Sequence, residues 1–283
     1  MNDTSPTASS ADPIVCRPTS WFKFRALVMF AMFAVFAGWF YLDATTGYRK
    51  KNQVFYLHKT FETASKEFSK QNENGDLTAE EWKAYAAGQT VAFPEDAEKI
   101  LPAGVELPMQ WPEILHDYER MKPLHWKELW EEYSGEKGLD ADAPEQPYPS
   151  NKIREQWIVF WICLALALAA LFFLLRTMGR SIRADGETLT SASGKRVPYR
   201  DLRTLDLRKW DTKGLAFLDY EGESGKGRIR LDGLTYGGFK KEDGEPAERL
   251  MRKIRANFSG EILEYAPVAQ VTENEESKTG KNP

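Results

Sequence analysis

The chain has 283 residues, of which 38 are Lys or Arg and 42 are Asp or Glu, and its net charge is −4. A nucleic-acid-binding surface needs a strong excess of positive charge, so this balance argues against a nucleic-acid partner. The two cysteines, Cys16 and Cys163, lie in the first tail and in an apolar segment. That placement excludes a disulfide framework or a cysteine-based zinc site in the long polar stretches of the chain.

The N-terminal part of the sequence changes abruptly from polar to apolar. Residues 1–20 are rich in Ser, Thr, Ala, Asp and Pro, a composition that cannot offset the entropy of ordering, so we expect a disordered tail. Residues 21–42 form an apolar run that includes Lys23 and Arg25 near its start, and we expect a transmembrane helix there. A cleaved signal peptide ending near Ala37 is the alternative. The apolar run continues past that point, which favours an uncleaved signal anchor.

A second apolar segment gives the strongest signal in the chain. Residues 157–175 carry no charge, and as a helix they extend about 28 Å, close to the hydrocarbon thickness of a bilayer. We therefore predict a second transmembrane helix over residues 156–176. Trp157 and Trp161 at its start, like Trp39 and Tyr41 near the end of the first, are typical of side chains at a membrane interface.

Cations flank the outer ends of the two predicted spans and set the expected orientation. They are Arg17, Lys23, Arg25, Arg176, Arg180 and Arg183. Positive residues stay on the cytoplasmic side, so both termini are expected in the cytoplasm and residues 43–155 outside it. The expected location is the inner (plasma) membrane, crossed twice.

The predicted external domain, residues 43–155, is acidic and mainly helical. It carries 14 Lys or Arg against 22 Asp or Glu. Apolar residues recur at steps of three and four over residues 52–70, which predicts one buried helix face. They are Val54, Leu57, Phe61, Ala64 and Phe68. Thr78 with Glu81 three residues later is a capping box that predicts the start of the next helix.

Residues 70–81 resemble the calcium loop of the EF-hand family. The resemblance implies a tight turn at Gly75 and a set of oxygen ligands. The implied ligands are Asn72, Asn74, Asp76, Thr78 and Glu81. The first ligand position of the family pattern is Lys70 here, so the motif is degenerate. The alternative is a plain helix–turn–helix with a capping box, and we expect no cofactor other than weakly bound calcium.

The C-terminal block, residues 178–265, alternates apolar and polar side chains and ends in an amphipathic helix over residues 246–258. Residues 215–220 are apolar on both faces, which predicts a central strand. Residues 197–202 place a hydrophobic, an aromatic and an acidic side chain just before the next strand. Together with this motif, the order of elements resembles the pleckstrin-homology-like domains found beside spans in bacterial membrane proteins. The resemblance implies an antiparallel β barrel capped by the helix. We expect residues 266–283, which are polar, to form a disordered tail.

The predicted fold class is an α+β membrane protein with two transmembrane helices, an all-α extracytoplasmic domain and the barrel domain. The three histidines, His58, His116 and His125, belong to no catalytic motif, so we expect no enzyme activity. The predicted function is a non-catalytic membrane-anchored scaffold or sensor. A calcium-responsive envelope sensor and an enzyme with an unrecognised site are the alternatives. The expected partners are the lipid bilayer and a protein, and small residues at spacing four in both spans leave a homo-oligomer open.

Overall fold

The computed structural model describes residues 12–223 and 225–265 and shows an α+β protein. The chain divides into two compact units. We call Met29–Ala170 the helical unit, and Met1–Val28 with Leu171–Pro283 the sheet unit. Residues 1–11 of the first predicted tail and the whole tail predicted at residues 266–283 lie outside the described residues.

The helices in chain order are α1 (Ser20–Leu42), α2 (Tyr48–Gln71), α3 (Ala79–Ala87), α4 (Ala97–Ile100), α5 (Tyr118–Met121), α6 (Trp126–Lys137), α7 (Ser150–Met178), α8 (Trp210–Lys213) and α9 (Pro246–Asn257). A π-helical turn, Asp43–Gly47, joins α1 to α2 without a break. Short 3₁₀ turns lie at Glu113–His116, Tyr199–Asp201 and Lys241–Asp243.

Two helical stretches are long and apolar enough to cross a membrane. They are Ser20–Gln71, whose apolar part is α1, and α7, and only 6% and 11% of their most apolar windows are buried inside the protein. The core helix of a soluble protein is mostly buried, so these two stretches do not behave as core helices. The large side chains that they expose include Trp39, Leu42, Trp161 and Phe173.

The core of the helical unit forms around α2. The predicted stripe of five apolar side chains on this helix is buried, with Phe61 and Ala64 fully inaccessible. α2 packs against α6, and Trp82 of α3 is also inaccessible. The indole nitrogen of Trp82 donates a hydrogen bond of 2.9 Å to the carbonyl oxygen of Leu115, so its one polar atom is satisfied inside the core.

The strands are β1 (Ile14–Cys16), β2 (Ile182–Ala184), β3 (Thr188–Thr190), β4 (Arg196–Pro198), β5 (Leu202–Lys209), β6 (Leu215–Gly222), β7 (Gly225–Asp232) and β8 (Glu261–Leu263). They form two four-stranded sheets, with orders β1-β2-β3-β4 and β7-β6-β5-β8. All neighbouring pairs are antiparallel except β5 and β8, which are parallel. β6 lies between β7 and β5, as the apolar pattern on both of its faces predicted.

The predicted antiparallel β barrel is not confirmed, because the strands form two sheets. Among the eight strands of the described chain no ladder joins the two sheets, although an isolated antiparallel bridge pairs Pro18, after β1, with Tyr236, after β7. Each sheet instead ends on a short strand that the alternating pattern did not predict. These strands are β1, which lies before the first long helix, and β8, which follows α9. The alternating pattern shows which segments are strands, but it does not show which edges they pair with.

The predicted disorder of residues 1–20 is also wrong for its last part. Ile14, Val15 and Cys16 pair with Ala184, Arg183 and Ile182 of β2. Cys16 is completely buried against α9, and this burial raises the pKa of its thiol to about 11. The average composition of the tail concealed this three-residue apolar segment.

Helix α9 does not close the end of a barrel but packs against β1 and β2. Its buried face matches the predicted amphipathic stripe and consists of Ala247, Leu250, Met251 and Ile254. These side chains join the main core of the sheet unit together with Leu205, Leu218 and Leu231.

Candidate functional site

The most elaborate polar arrangement in the helical unit lies where α1 passes into α2 and where α7 begins. We call it the helix junction and define it by Tyr41, the π-helical turn Asp43–Gly47, Asn52, Tyr148 and Trp157. Each of these residues belongs to the helical unit.

The π-helical turn of the junction is stabilised by its own hydroxyl groups. The Oγ1 atom of Thr45 donates to the carbonyl oxygen of Tyr41 at 2.8 Å, and that of Thr46 donates to Leu42 at 3.1 Å. At Gly47 a Cβ atom would lie only 2.6 Å from the carboxylate oxygen of Asp43, so a larger residue there would displace the Asp43 side chain. A π-helical turn inserts one extra residue into a helix and is often found at functional sites.

Asn52 makes the central hydrogen bonds of the junction, and its side chain is completely buried. Its Nδ2 atom donates to the carbonyl oxygens of Ile100 at 3.0 Å and Tyr148 at 2.9 Å. Its Oδ1 atom accepts a hydrogen bond of 2.6 Å from the backbone N–H of Tyr148. One amide side chain therefore ties α2 both to the end of α4 and to the segment that precedes α7.

Aromatic rings extend these contacts on both sides of Asn52. Tyr48 stacks on Tyr148 with ring centroids 4.2 Å apart, and burial together with the nearby Asp43 raises the pKa of Tyr48. Tyr41 of α1 meets Trp157 of α7 edge-on at 5.8 Å. The two long helices are therefore in direct contact at the level where the sequence predicts interfacial aromatic residues.

Arg49 connects the junction to a small apolar cluster beside it. Its Nη1 atom donates to the carbonyl oxygen of Leu101 at 2.9 Å, and its Nε atom donates to Ala44 of the π-helical turn at 3.4 Å. The cluster contains Ala97, Ile100, Leu101 and Ile153, all buried. It packs α4 against the first turn of α7.

The predicted calcium loop forms the connection between α2 and α3. Gly75 has a φ of +76°, the left-handed conformation that the tight turn of such a loop requires. The Oδ1 atom of Asn72 is buried and has no hydrogen-bond partner in the described structure. Both features fit a loop of the EF-hand type.

Other features of the same loop fit the plain capped helix. The carboxylate of Glu81 accepts hydrogen bonds from the backbone N–H of Thr78 at 3.0 Å and from its hydroxyl at 2.7 Å. The Thr78 hydroxyl accepts one from the backbone N–H of Glu81, which completes the predicted capping box. These bonds lower the pKa of Glu81.

The structure brings Thr78 and Glu81 into contact, while Asn74 and Asp76 are exposed. Among residues 12–223 and 225–265, no group of three or more His, Cys, Asp and Glu side chains could hold a metal ion. The donor set is therefore poor in charge for a divalent cation, and calcium binding stays a prediction.

Asn52 is the functional residue that sequence reasoning missed. At about 100° per residue, Asn52 falls on the side of α2 opposite to the apolar stripe, where a polar side chain is expected to face water. Its burial depends on Ile100 and Tyr148, which are 48 and 96 residues away in the chain. No local pattern could have revealed these partners.

Comparisons with protein-family models, with curated proteins and with solved structures gave no match.

Proposed function

We propose that this protein is a non-catalytic scaffold or sensor of the plasma membrane that couples an external helical domain to a cytoplasmic sheet domain. In this proposal α1 and α7 cross the bilayer and both termini lie in the cytoplasm. The low burial of the two apolar helices supports the spanning assignment.

The observation that carries the proposal is the unbroken helix from Ser20 to Gln71. Its second half, α2, supplies the core of the helical unit, and its first half is the predicted span. Only three residues separate the start of this helix from β1, which pairs with β2. A change in the axial position or rotation of this helix would therefore act on structured elements at both ends.

We propose that the helix junction is the element that changes conformation during coupling. A π-helical turn differs from an α-helical turn by one residue, so conversion between the two rotates the following helix by about 100°. Asn52 and the Tyr48–Tyr148 stack hold the present arrangement. A ligand or protein partner that pulls on the helical unit would have to break these contacts before the turn could change.

The experiment is hydrogen exchange on the full-length protein in lipid nanodiscs, comparing the wild type with Asn52→Ala. Loss of the amide leaves the backbone groups of Tyr148 and Ile100 without partners, at a cost of about 1–3 kcal/mol for each buried group. We expect faster exchange near Tyr148 and also at β1 and β2. Gln53→Ala, a change one position along the same helix, is the control and should leave both regions unchanged.

The coupling proposal would be wrong if Asn52→Ala accelerated exchange around Tyr148 and left β1 and β2 at wild-type rates. That result would mean that the junction holds the helical unit together without communicating with the sheet unit.

A second candidate is a calcium-responsive envelope sensor, favoured by the left-handed Gly75 and by the unpartnered Oδ1 atom of Asn72. The side chains of Asn72, Asn74 and Glu81 would supply oxygen ligands, Asp76 a backbone carbonyl and Thr78 a water-linked contact. Release of Glu81 from the capping box would have to accompany binding.

A further inference from the structure

A cavity of about 460 Å³ lies beside the helix junction at the start of α7. Its lining includes Arg49, Lys99, Ser150, Asn151, Arg154 and Trp157. Three of these side chains are cations, and the lining contains no Asp or Glu within the described chain. The cavity therefore presents positive charge and hydrogen-bond donors next to a candidate membrane span.

This concentration of cations runs against the charge of the surrounding domain. Residues 43–155 contain 14 Lys or Arg and 22 Asp or Glu. A cavity lined by residues of this average composition would carry a net negative charge. Arg49 donates its hydrogen bonds to backbone carbonyls, and it forms no ion pair with a residue in the described ranges. The nearby Glu155 is engaged by Lys152 at 3.0 Å, so it is not the counterion of Arg154 in this arrangement.

The position of Trp157 distinguishes this cavity from a site for a soluble anion. Trp157 stands at the start of the apolar part of α7, where indole rings occupy the headgroup level of a bilayer. Basic pockets between transmembrane helices on the cytoplasmic side bind the headgroups of anionic lipids, and the same attraction between cations and phosphate applies to a basic cavity beside a span on the other side. Arginine can contact a phosphate through two N–H groups, and lysine adds a point charge.

We propose that the cavity binds the phosphate headgroup of an anionic phospholipid from the outer leaflet. This inference rests on the proposed membrane function, because the lipid reaches the cavity only if α7 spans the bilayer. A bound phosphate would also contact Arg49, whose guanidinium already holds the carbonyl of Ala44 in the π-helical turn. The lipid would thereby stabilise the present form of the helix junction.

The test uses the full-length protein in a neutral detergent, with native mass spectrometry to count bound phosphatidylglycerol and phosphatidylcholine. The variant Lys99→Gln/Arg154→Gln removes two cations of the cavity and leaves Arg49 and the junction intact. Each cation near an anionic lipid surface contributes about fivefold in affinity. We expect the wild type to prefer phosphatidylglycerol and the variant to lose about 25-fold in affinity for it, with phosphatidylcholine binding unchanged.

The matched control is Lys83→Gln/Lys122→Gln, which removes two exposed cations of the same unit that do not line the cavity. Its affinity for phosphatidylglycerol should stay within about twofold of the wild type, because neither side chain lines the cavity and exposed charges are screened by salt. The proposal is overturned if both double variants lose affinity equally, if neither does, or if the wild type binds the two lipids equally well.

An alkaline carbonate wash of native membranes separates this result from a failure of the membrane assignment. The wild type and both variants should stay in the pellet. Release of the wild type into the supernatant would refute the spanning helices and the lipid site together, whereas retention with unchanged lipid preference would refute the lipid site alone.

Discussion

Whether the loop over residues 70–81 binds calcium depends mainly on Lys70 and Glu81. Lys70 places an ammonium group at the position where the EF-hand pattern has its first acidic ligand. Glu81, which would supply the bidentate carboxylate, is held by Thr78 instead. Both effects oppose cation binding, since one adds repulsion and the other requires hydrogen bonds to be broken first.

We therefore expect the wild-type protein to bind calcium with a dissociation constant weaker than about 10⁻⁴ M, the tighter end of the range for extracellular modules. Lys70→Asp should create or strengthen binding, because it replaces a positive charge by a carboxylate at the first ligand position. Glu81→Gln in that background should abolish it again. Isothermal titration calorimetry on the three proteins measures these differences, and tight binding by the wild type would contradict the prediction.

Side-chain hydrogen bonds could be predicted from the sequence where the two partners are close along the chain. The capping box of Thr78 and Glu81 is confirmed, because both of its hydrogen bonds join residues three positions apart. Asn52 could not be recognised in the same way. Its three hydrogen bonds go to backbone groups of Ile100 at the end of α4 and of Tyr148 just before α7. A helical wheel of α2 alone places Asn52 on the wrong face.

Among the elements, the long helices follow their apolar periodicity closely. The stripes of α2 and α9 are buried as their spacing predicts. β1 could not be predicted because three residues carry too little pattern, and its stability comes from pairing with β2 and from packing against α9. A strand of this length exists only through its neighbours.

The packing of α9 on the sheet unit can be tested at Leu250. It is 1% exposed in the core of the sheet unit, and Leu→Ala at such a site typically costs about 2–5 kcal/mol through lost transfer energy and the cavity left behind. Leu250→Ala in the full-length protein should therefore accelerate amide exchange in β1 and β2, on which α9 packs. Hydrogen exchange followed by mass spectrometry measures the effect.

Arg249→Ala and Arg252→Ala are the controls on the same helix, because both side chains are exposed. We expect these variants to exchange like the wild type. If Leu250→Ala also left β1 and β2 at wild-type rates, α9 would be a detached docking helix rather than part of the core.

At the scale of the whole molecule, the orientation in the membrane is the first property to measure. Reporter fusions inserted at Gly88 and Gly225 should report opposite sides, with Gly225 in the cytoplasm, because the flanking cations favour cytoplasmic ends. Activity of both reporters on one side would refute the two-span architecture. The reverse pattern would keep the two spans and invert the orientation.

The general class of the fold was predictable, and the closure of its sheets was not. Two uncharged or nearly uncharged segments and one block of alternating residues were sufficient to predict an α+β chain with two apolar helices. The arrangement of two sheets depends on β1 and β8. β1 pairs with β2, which lies far along the chain, and β8 pairs with β5 in a parallel direction that the alternating pattern did not predict. Strand register and pairing are tertiary properties that local periodicity does not encode.

The pairing of β1 with β2 also imposes an order on biosynthesis. About 165 residues separate the two strands, and at translation rates of about 5–20 residues per second Cys16 leaves the ribosome roughly ten to thirty seconds before Ile182. During this interval the first strand has no partner, and both apolar helices are synthesised before one is available. The sheet unit can therefore complete its core only after α7 has been made, so a folded sheet unit indicates that both long apolar helices have already been synthesised.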